Sequence, residues 1–231
     1  MSLFALGDPH LAIGLDKPMD IFPGWEHHKE RIEENWKRLV TPGDVVVLPG
    51  DISWAMSLED TKADFAFLDS LPGTKLISKG NHDYWWTTVT KMNAFFAENG
   101  FTTLHILHNN AYVVGNYAVC ATRGWFFDDD TPHSEKVLNR EVGRLQTAIA
   151  AAKETGKEPL VFLHYPPVTQ REECTPIMDV LRESGVRRVY YAHLHGNVIP
   201  HAFQGERDGM IFRLVSADAL HFCPLLLETD G

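Results

Sequence analysis

Five apolar runs in this chain each end in side chains able to bind a cation. "LFAL" is followed by Gly7, Asp8 and His10, and "VVVLP" by Gly50 and Asp51. "TKLIS" leads to Asn81 and His82, "PLVFL" to His164, and "RVYYA" to His193 and His195. One such ending is ordinary turn chemistry, because Asn and Asp favour turns and caps. Five in succession form a constellation, since open α/β sheets build their sites at the carboxyl ends of strands. Two aspartates, one amide and four imidazoles, with no thiolate among them, suit Mn, Fe, Zn or Mg rather than Cu(I) or an iron–sulfur cluster. Seven ligands exceed what one tetrahedral ion accepts, so the set implies two metal ions. One carboxylate must then be shared, and Asp51, alone on its turn, is the candidate. In "DPH" and "HLH" the ligands stand two apart, which on an extended segment aims both side chains the same way. Glycines beside Asp8, Asp51 and Asn81 let backbone pass close to the ions without a Cβ.

The elements that must position these residues follow from periodicity. Residues 3–6 and 45–48 read as strands, and the stretch between them puts Ile32, Trp36, Leu39 and Val40 on one helical stripe, which makes a first βαβ unit. "SLED" near Ser57 resembles a capping box and predicts a helix that buries Phe65 and Leu68. "TKLIS" is a strand, and a helix is expected from about Thr87 to Glu98 with Val89, Met92, Phe95 and Phe96 inward. Residues 101–122 read as a meander of short β pieces. An acidic loop, "FFDDDTPH", precedes a long helix from about Ser134 to Thr155 with a stripe of Leu138, Val142, Leu145, Ile149 and Ala152. "PLVFL" and "RVYYA" are strands around a helix near "PIMDVLRE", and the C-terminus is mostly β. Helix-linked strands at both ends with β pieces between predict a mixed α/β sandwich. Because the site draws on residues from Asp8 to His195, the expectation is a single domain over residues 1–231.

Composition narrows the function. The 231 residues carry 31 acidic and 21 basic side chains, a formal charge of -10. The pairs "KR" at 37 and "RR" at 187 are isolated, so binding to long nucleic acid or an anionic membrane is not expected. The N-terminus has no basic region before its apolar stretch is broken, and no apolar run reaches the length of a membrane span. Three widely spaced cysteines suit reduced thiols, and with the missing signal they predict a cytoplasmic location. The oligomeric state is left open.

"GDPH", "GD" at 50, "GNHD", His164 and "HLH" followed by Gly196 together resemble the calcineurin-like metallophosphoesterase family, in its order, over residues 8–196. The resemblance implies a four-layer sandwich of two mixed β-sheets flanked by helices. It also implies that Asp8, His10 and His195 hold one metal and Asn81, His164 and His193 a second, with Asp51 between. Two divalent ions would outweigh the two carboxylates and a bridging hydroxide by one positive charge, which draws a phosphate into an acidic protein. The implied activity is hydrolysis of phosphate mono- or diesters of small substrates by a metal-bridging hydroxide, with His82 as general acid. Asp83 reads as a helix N-cap rather than a catalytic acid. The isolated His27, His28, His105, His108, His133, His201 and His221 read as surface or core residues. Trp54, Trp85 and Trp86 follow site turns and could face the substrate, core packing being the alternative. Arg123 could clamp a phosphate, the alternative being a surface salt bridge. Many phosphatases of the family have an aspartate three residues after the "GD" aspartate, where this chain has Trp54. His82 must be oriented by another group or act as a cationic stabiliser, and a protein Ser/Thr phosphatase is disfavoured. A non-catalytic metal-binding scaffold is the alternative function, and a nuclease a more distant one; complete ligands with an intact His82 argue against the first and the charge against the second.

Overall fold

Strand β2 (Val45–Pro49) is buried at every position, as an apolar run without polar alternation requires when sheet neighbours lie on both sides. β1 (Ser2–Ala5) and β3 (Thr74–Ser78) flank it, both parallel to it. β4 (Leu104–Ile106) continues parallel beyond β3, and β11 (Leu225–Thr229) closes the other edge antiparallel to β1. A second sheet has a parallel centre of β6 (Tyr117–Thr122), β7 (Glu158–Leu163), β8 (Arg188–Tyr191) and β10 (Met210–Leu214). Its edges, β5 (Ala111–Val114) and β9 (Gly205–Arg207), are antiparallel. The orders are β11-β1-β2-β3-β4 in the five-stranded sheet and β5-β6-β7-β8-β10-β9 in the six-stranded one. This structure, a computed structural model, describes residues 1–125 and 135–229.

Alternation along each strand explains the layering. Leu3, Ala5, Val45, Val47 and Leu76 from the first sheet meet Val119, Ala121, Leu160, Phe162 and Tyr190 from the second in one core. The opposite face of the first sheet, with Phe4, Val46, Leu48 and Ile77, lies against Ile32 and Trp36 of α1 (His28–Leu39), Phe65 of α2 (Lys62–Ser70) and Met92 of α3 (Val89–Glu98). The outer face of the second, with Cys120, Val161 and Val189, lies against Leu145 and Ile149 of α4 (Glu135–Glu154) and Met178 and Leu181 of α5 (Thr175–Glu183). The four-layer sandwich of two mixed sheets flanked by helices is the architecture expected. A fully buried Ile or Phe in these layers contributes about 1.5–3 kcal/mol over exposure.

Three local expectations are corrected. Leu39 is 37% exposed, because α1 ends there and the chain turns Val40 inward instead. The "SLED" segment starts a short 3-10 turn, Glu59–Thr61, in which Ser57 Oγ accepts from the Asp60 N–H at 3.3 Å, and α2 follows it. Residues 101–122 are not one meander: β4 joins the first sheet, whereas β5 and β6 form a hairpin in the second. Short β pieces look alike in sequence whichever sheet receives them. Cys120, Cys174 and Cys223 are unpaired. The acidic loop at 126–133, with its His133, and the start of the long helix at Ser134 lie outside the described residues. Among the described residues no helix is long and apolar enough to cross a membrane.

Candidate metal centre

The turns that follow β1 and β2 are knitted to each other before any side chain is considered. Asp8 N–H donates to Gly50 O at 3.1 Å, His10 N–H to Asp51 O at 3.0 Å and Leu11 N–H to Ile52 O at 2.9 Å. The second sheet is attached through His193 N–H, which donates to Asp8 Oδ2 at 2.9 Å. Asp8, His10, Asp51 and His193 all adopt left-handed backbone, with φ of 54°, 43°, 50° and 74°. Each such non-glycine residue costs on the order of 1–3 kcal/mol and persists only where its surroundings dictate it. Asp8 and His10 therefore do not converge because they lie on an extended segment, as their spacing suggested. They converge because two left-handed residues bend the chain over the neighbouring turn. A Cβ on Gly50 would stand 2.7 Å from both Gly80 Cα and His164 Nδ1, and one on Gly80 would overlap the Asp51 carboxylate.

Asp83 is the fastener of this arrangement and is not a helix cap. Helix α3 is capped by Thr88, which accepts from Lys91 N–H at 3.3 Å. Asp83 is buried, and its carboxylate accepts from the backbone N–H groups of Gly80 at 2.7 Å, Asp51 at 2.9 Å and Ile52 at 2.8 Å, and from the Trp85 indole at 3.0 Å. It thus ties the turn after β3 to the turn after β2. Trp85 is 2% exposed and meets Phe65 edge-on at 5.0 Å, so it belongs to the core and not to a substrate surface.

Two groups of ligand atoms result, each within 4.8 Å: Asp8, His10 and His195, and Asp51, His164 and His193. Asp51 Oδ2 lies 3.7 Å from His10 Nε2 in the first group and 3.5 Å from His164 Nε2 in its own. Asn81 Oδ1 stands 2.6 Å from His164 Nε2. His164 Nδ1 faces the Pro49 carbonyl at 3.2 Å, which can only accept; in the tautomer that donates to it, Nε2 offers a lone pair to a cation that Asn81 Oδ1 would share. His195 is set likewise: Nδ1 donates to Asp218 Oδ1 at 2.9 Å, and Nε2 points toward Asp8 at 3.5 Å. Asp218 also accepts from Gly196 N–H at 2.8 Å.

The donor set fits cations. Asp8 Oδ1, His10 Nδ1 and His195 Nε2 are buried and have no hydrogen-bond partner. Burial pushes the Asp8 carboxyl up to about 6, and burial together with the neighbouring Asp83 and Asp8 charges holds Asp51 well above the usual carboxylate range. Burial, and then neighbouring imidazoles, hold His10 and His164 well below the usual histidine range, as neutral donors. His195 goes the other way: burial opposes its charge, but Asp8 and Asp218 outweigh that and raise it. Buried carboxylates beside neutral imidazoles with lone pairs form a site that bound positive charge would relax.

His82 is beside this floor. Its backbone N–H donates to Asp51 Oδ1 at 2.8 Å, and its ring lies 5.8 Å from that of His10. Trp54 packs on both imidazoles, stacked on His10 at 4.9 Å and tilted against His82 at 4.5 Å. Where the family pattern has an aspartate, an indole thus packs on His82. His10, His82 and His195 line one cavity of about 710 Å³ with Trp25 and Trp54. Arg123 follows β6 and its carbonyl accepts from His164 N–H at 3.2 Å, while its guanidinium lies 3.7 Å from the buried Glu141 carboxylate and over the Trp125 ring at 5.2 Å, which is the salt-bridge alternative. Trp86 packs partly buried against the outer core. Asp218 was missed although it follows β10 as the ligands follow their strands, and the strand-end criterion would have found it. Trp25 sits in the irregular stretch before α1, where no period flags it.

The family model for calcineurin-like phosphoesterase matches residues 1–197, and the chain belongs to that family. Among curated proteins no sequence match is found. Solved structures share the fold. A phosphopantetheinyl hydrolase from Mycobacterium tuberculosis superposes with TM-score 0.54 at 13% identity, covering 100% of this chain and 96% of that one. A Thermus thermophilus protein gives 0.54 at 14% identity over 84% and 81% of the two chains. A protein of unknown function from Aquifex aeolicus gives 0.51 at 14% identity over 97% and 95%.

Proposed function

We propose that this calcineurin-like phosphoesterase is a dinuclear metal-dependent hydrolase of small phosphate mono- or diesters. The observation that carries the reading is the place of Asp51 Oδ2, between an imidazole of one ligand group at 3.7 Å and an imidazole of the other at 3.5 Å. Asp8, His10 and His195 would hold one ion and Asn81, His164 and His193 the other, with Asp51 common to both. When bound, such a pair of ions polarises a phosphoryl oxygen and lowers the pKa of water toward neutrality. The chain's own residues do the rest. The left-handed turns fix the donors in advance, so little reorganisation accompanies binding. His82, held against Trp54 and tied through its backbone to Asp51, donates a proton to the leaving oxygen. The net charge of -10 favours a small substrate over a polyanion. Ligands drawn from both ends of residues 8–195 support one catalytic domain.

Metal analysis coupled to parallel assays with a chromogenic phosphomonoester and a chromogenic phosphodiester tests the reading. Up to two ions per chain and turnover of at least one ester are expected, with chelation abolishing turnover and Mn²⁺ restoring it in part. A fully metallated protein inert toward both esters would instead favour the scaffold.

A further inference from the structure

We propose, resting on the phosphoesterase reading, that the cavity beside His82 receives the alcohol half of the substrate and selects one that is uncharged and largely apolar. If His82 protonates the leaving oxygen, the carbon attached to that oxygen must continue into the space that His82 lines. That space is about 710 Å³, within the range of about 300–1,000 Å³ that holds a small organic ligand. Apart from the three imidazoles on its floor, its walls are Met19, Phe22, Pro23, Trp25 and Trp54, with Asn197 the one other polar side chain among the described residues. Among the described residues no Lys, Arg, Asp or Glu lines it.

The chemistry of the walls chooses the occupant. A sugar or a peptide brings hydroxyls, amides and charges, and these lose water without gaining partners in such a pocket. An apolar body loses nothing polar and is driven in by the surface it removes from water. The walls are also built in advance. Trp25 stands against His10 at 5.6 Å, His195 at 5.5 Å and Phe222 at 5.0 Å, and Trp54 Nε1 donates to Met19 Sδ at 3.2 Å. At the open side Phe22 is 48% exposed, beside Ile21 at 70%. Apolar surface left in water at the rim of a lined cavity marks where an apolar occupant would cover it.

Primary alkyl phosphates test this directly, because their leaving alcohols have similar basicity and their rates differ through the bound body. With the metal-loaded enzyme, kcat/KM should rise from ethyl to hexyl phosphate by up to about 250-fold, at roughly fourfold for each of the four methylenes removed from water. 2-Phenylethyl phosphate separates an aromatic from an alkyl preference, and glucose 6-phosphate should do no better than ethyl phosphate. Phe22→Ser, at a half-exposed position of the mouth, should lower the hexyl-to-ethyl ratio with metal content retained, and Trp54→Ala, which also removes the ring packed on His10 and His82, should lower that ratio along with the absolute rates. Equal rates for ethyl and hexyl phosphate, a preference for the sugar phosphate, or a ratio unmoved by both variants would overturn the proposal. If no ester is hydrolysed, quenching of tryptophan fluorescence by ethyl- and hexylphosphonate decides: tighter hexyl binding sustains the pocket while the phosphoesterase reading fails, and equal binding overturns the pocket too.

Discussion

The floor of the site and its mouth are built by different rules. The floor consists of residues delivered by strand ends from both sheets, each pinned by backbone hydrogen bonds and several forced into left-handed backbone. The mouth is supplied largely by the irregular stretch that holds Met19, Phe22, Pro23 and Trp25, with Trp54 across from it. Rigid, pre-strained backbone suits donors that must meet ions within tenths of an ångström. A loop suits a wall that need only be apolar and of the right size, and it can change without disturbing the floor. On the proposed function, the floor would set the reaction class and the mouth which ester enters.

If that division holds, damage to the floor should be far costlier than damage behind it. The largest effect is expected from Asp51→Asn, which weakens both ligand groups: kcat should fall by on the order of 10³-fold or more, and bound metal should drop from two ions to at most one. Retained metal with full activity would remove the shared carboxylate from the account. His82→Ala should cost about 10²- to 10⁴-fold in rate with metal content unchanged. Its loss should shrink for a nitrophenolate, which leaves without a proton, and grow for an alkyl ester. Equal losses for both, together with lost metal, would make His82 a ligand or a prop.

One layer further back, Asp218→Ala frees His195 Nδ1. Metal affinity measured by titration calorimetry should weaken by about 10- to 100-fold, and Asp218→Asn, which keeps an acceptor, should recover much of it. An unchanged affinity would show that the left-handed turns alone orient the donors. The smallest effect comes from outside both regions. Lys75 is buried in β3 and donates to Leu71 O at 2.6 Å and Gly73 O at 2.8 Å. Burial lowers it from its ordinary 10.5 to about 8. The folded chain thus disfavours the ammonium, and between about pH 8 and pH 10 the unfolded chain binds more protons, so stability should rise with pH. Urea unfolding of metal-free protein across that window should show the rise, and Lys75→Met should flatten it; a rise that survives the substitution belongs to other groups.

The same contrast explains what could be read from the sequence. Five strand endings were visible because each strand and its ligand are adjacent along the chain, three of them with a glycine beside the ligand; the order of apolar runs gave a mixed α/β sandwich, and the family resemblance implied its four layers. Asp83 was misread because its partners, Gly80, Asp51 and Ile52, converge only after two parallel strands pair. The left-handed backbone of Asp8 and His10 was invisible for the same reason: hydrogen bonds to Gly50 and Asp51 impose it. β4 was assigned to the wrong neighbours because three residues carry too little pattern to choose a sheet. Trp25 and Phe22 carried no periodic signal at all, and their shared cavity exists only in three dimensions.

The central claim is that one carboxylate joins two ion sites, and electron paramagnetic resonance of the Mn²⁺-loaded protein tests it most directly. Ions held about 3.5–4 Å apart through Asp51 should give the signature of an exchange-coupled pair in the wild-type protein, replaced by isolated mononuclear manganese in Asp51→Asn. Uncoupled manganese in the wild-type protein at full loading, or a coupled pair that survives Asp51→Asn, would contradict the account.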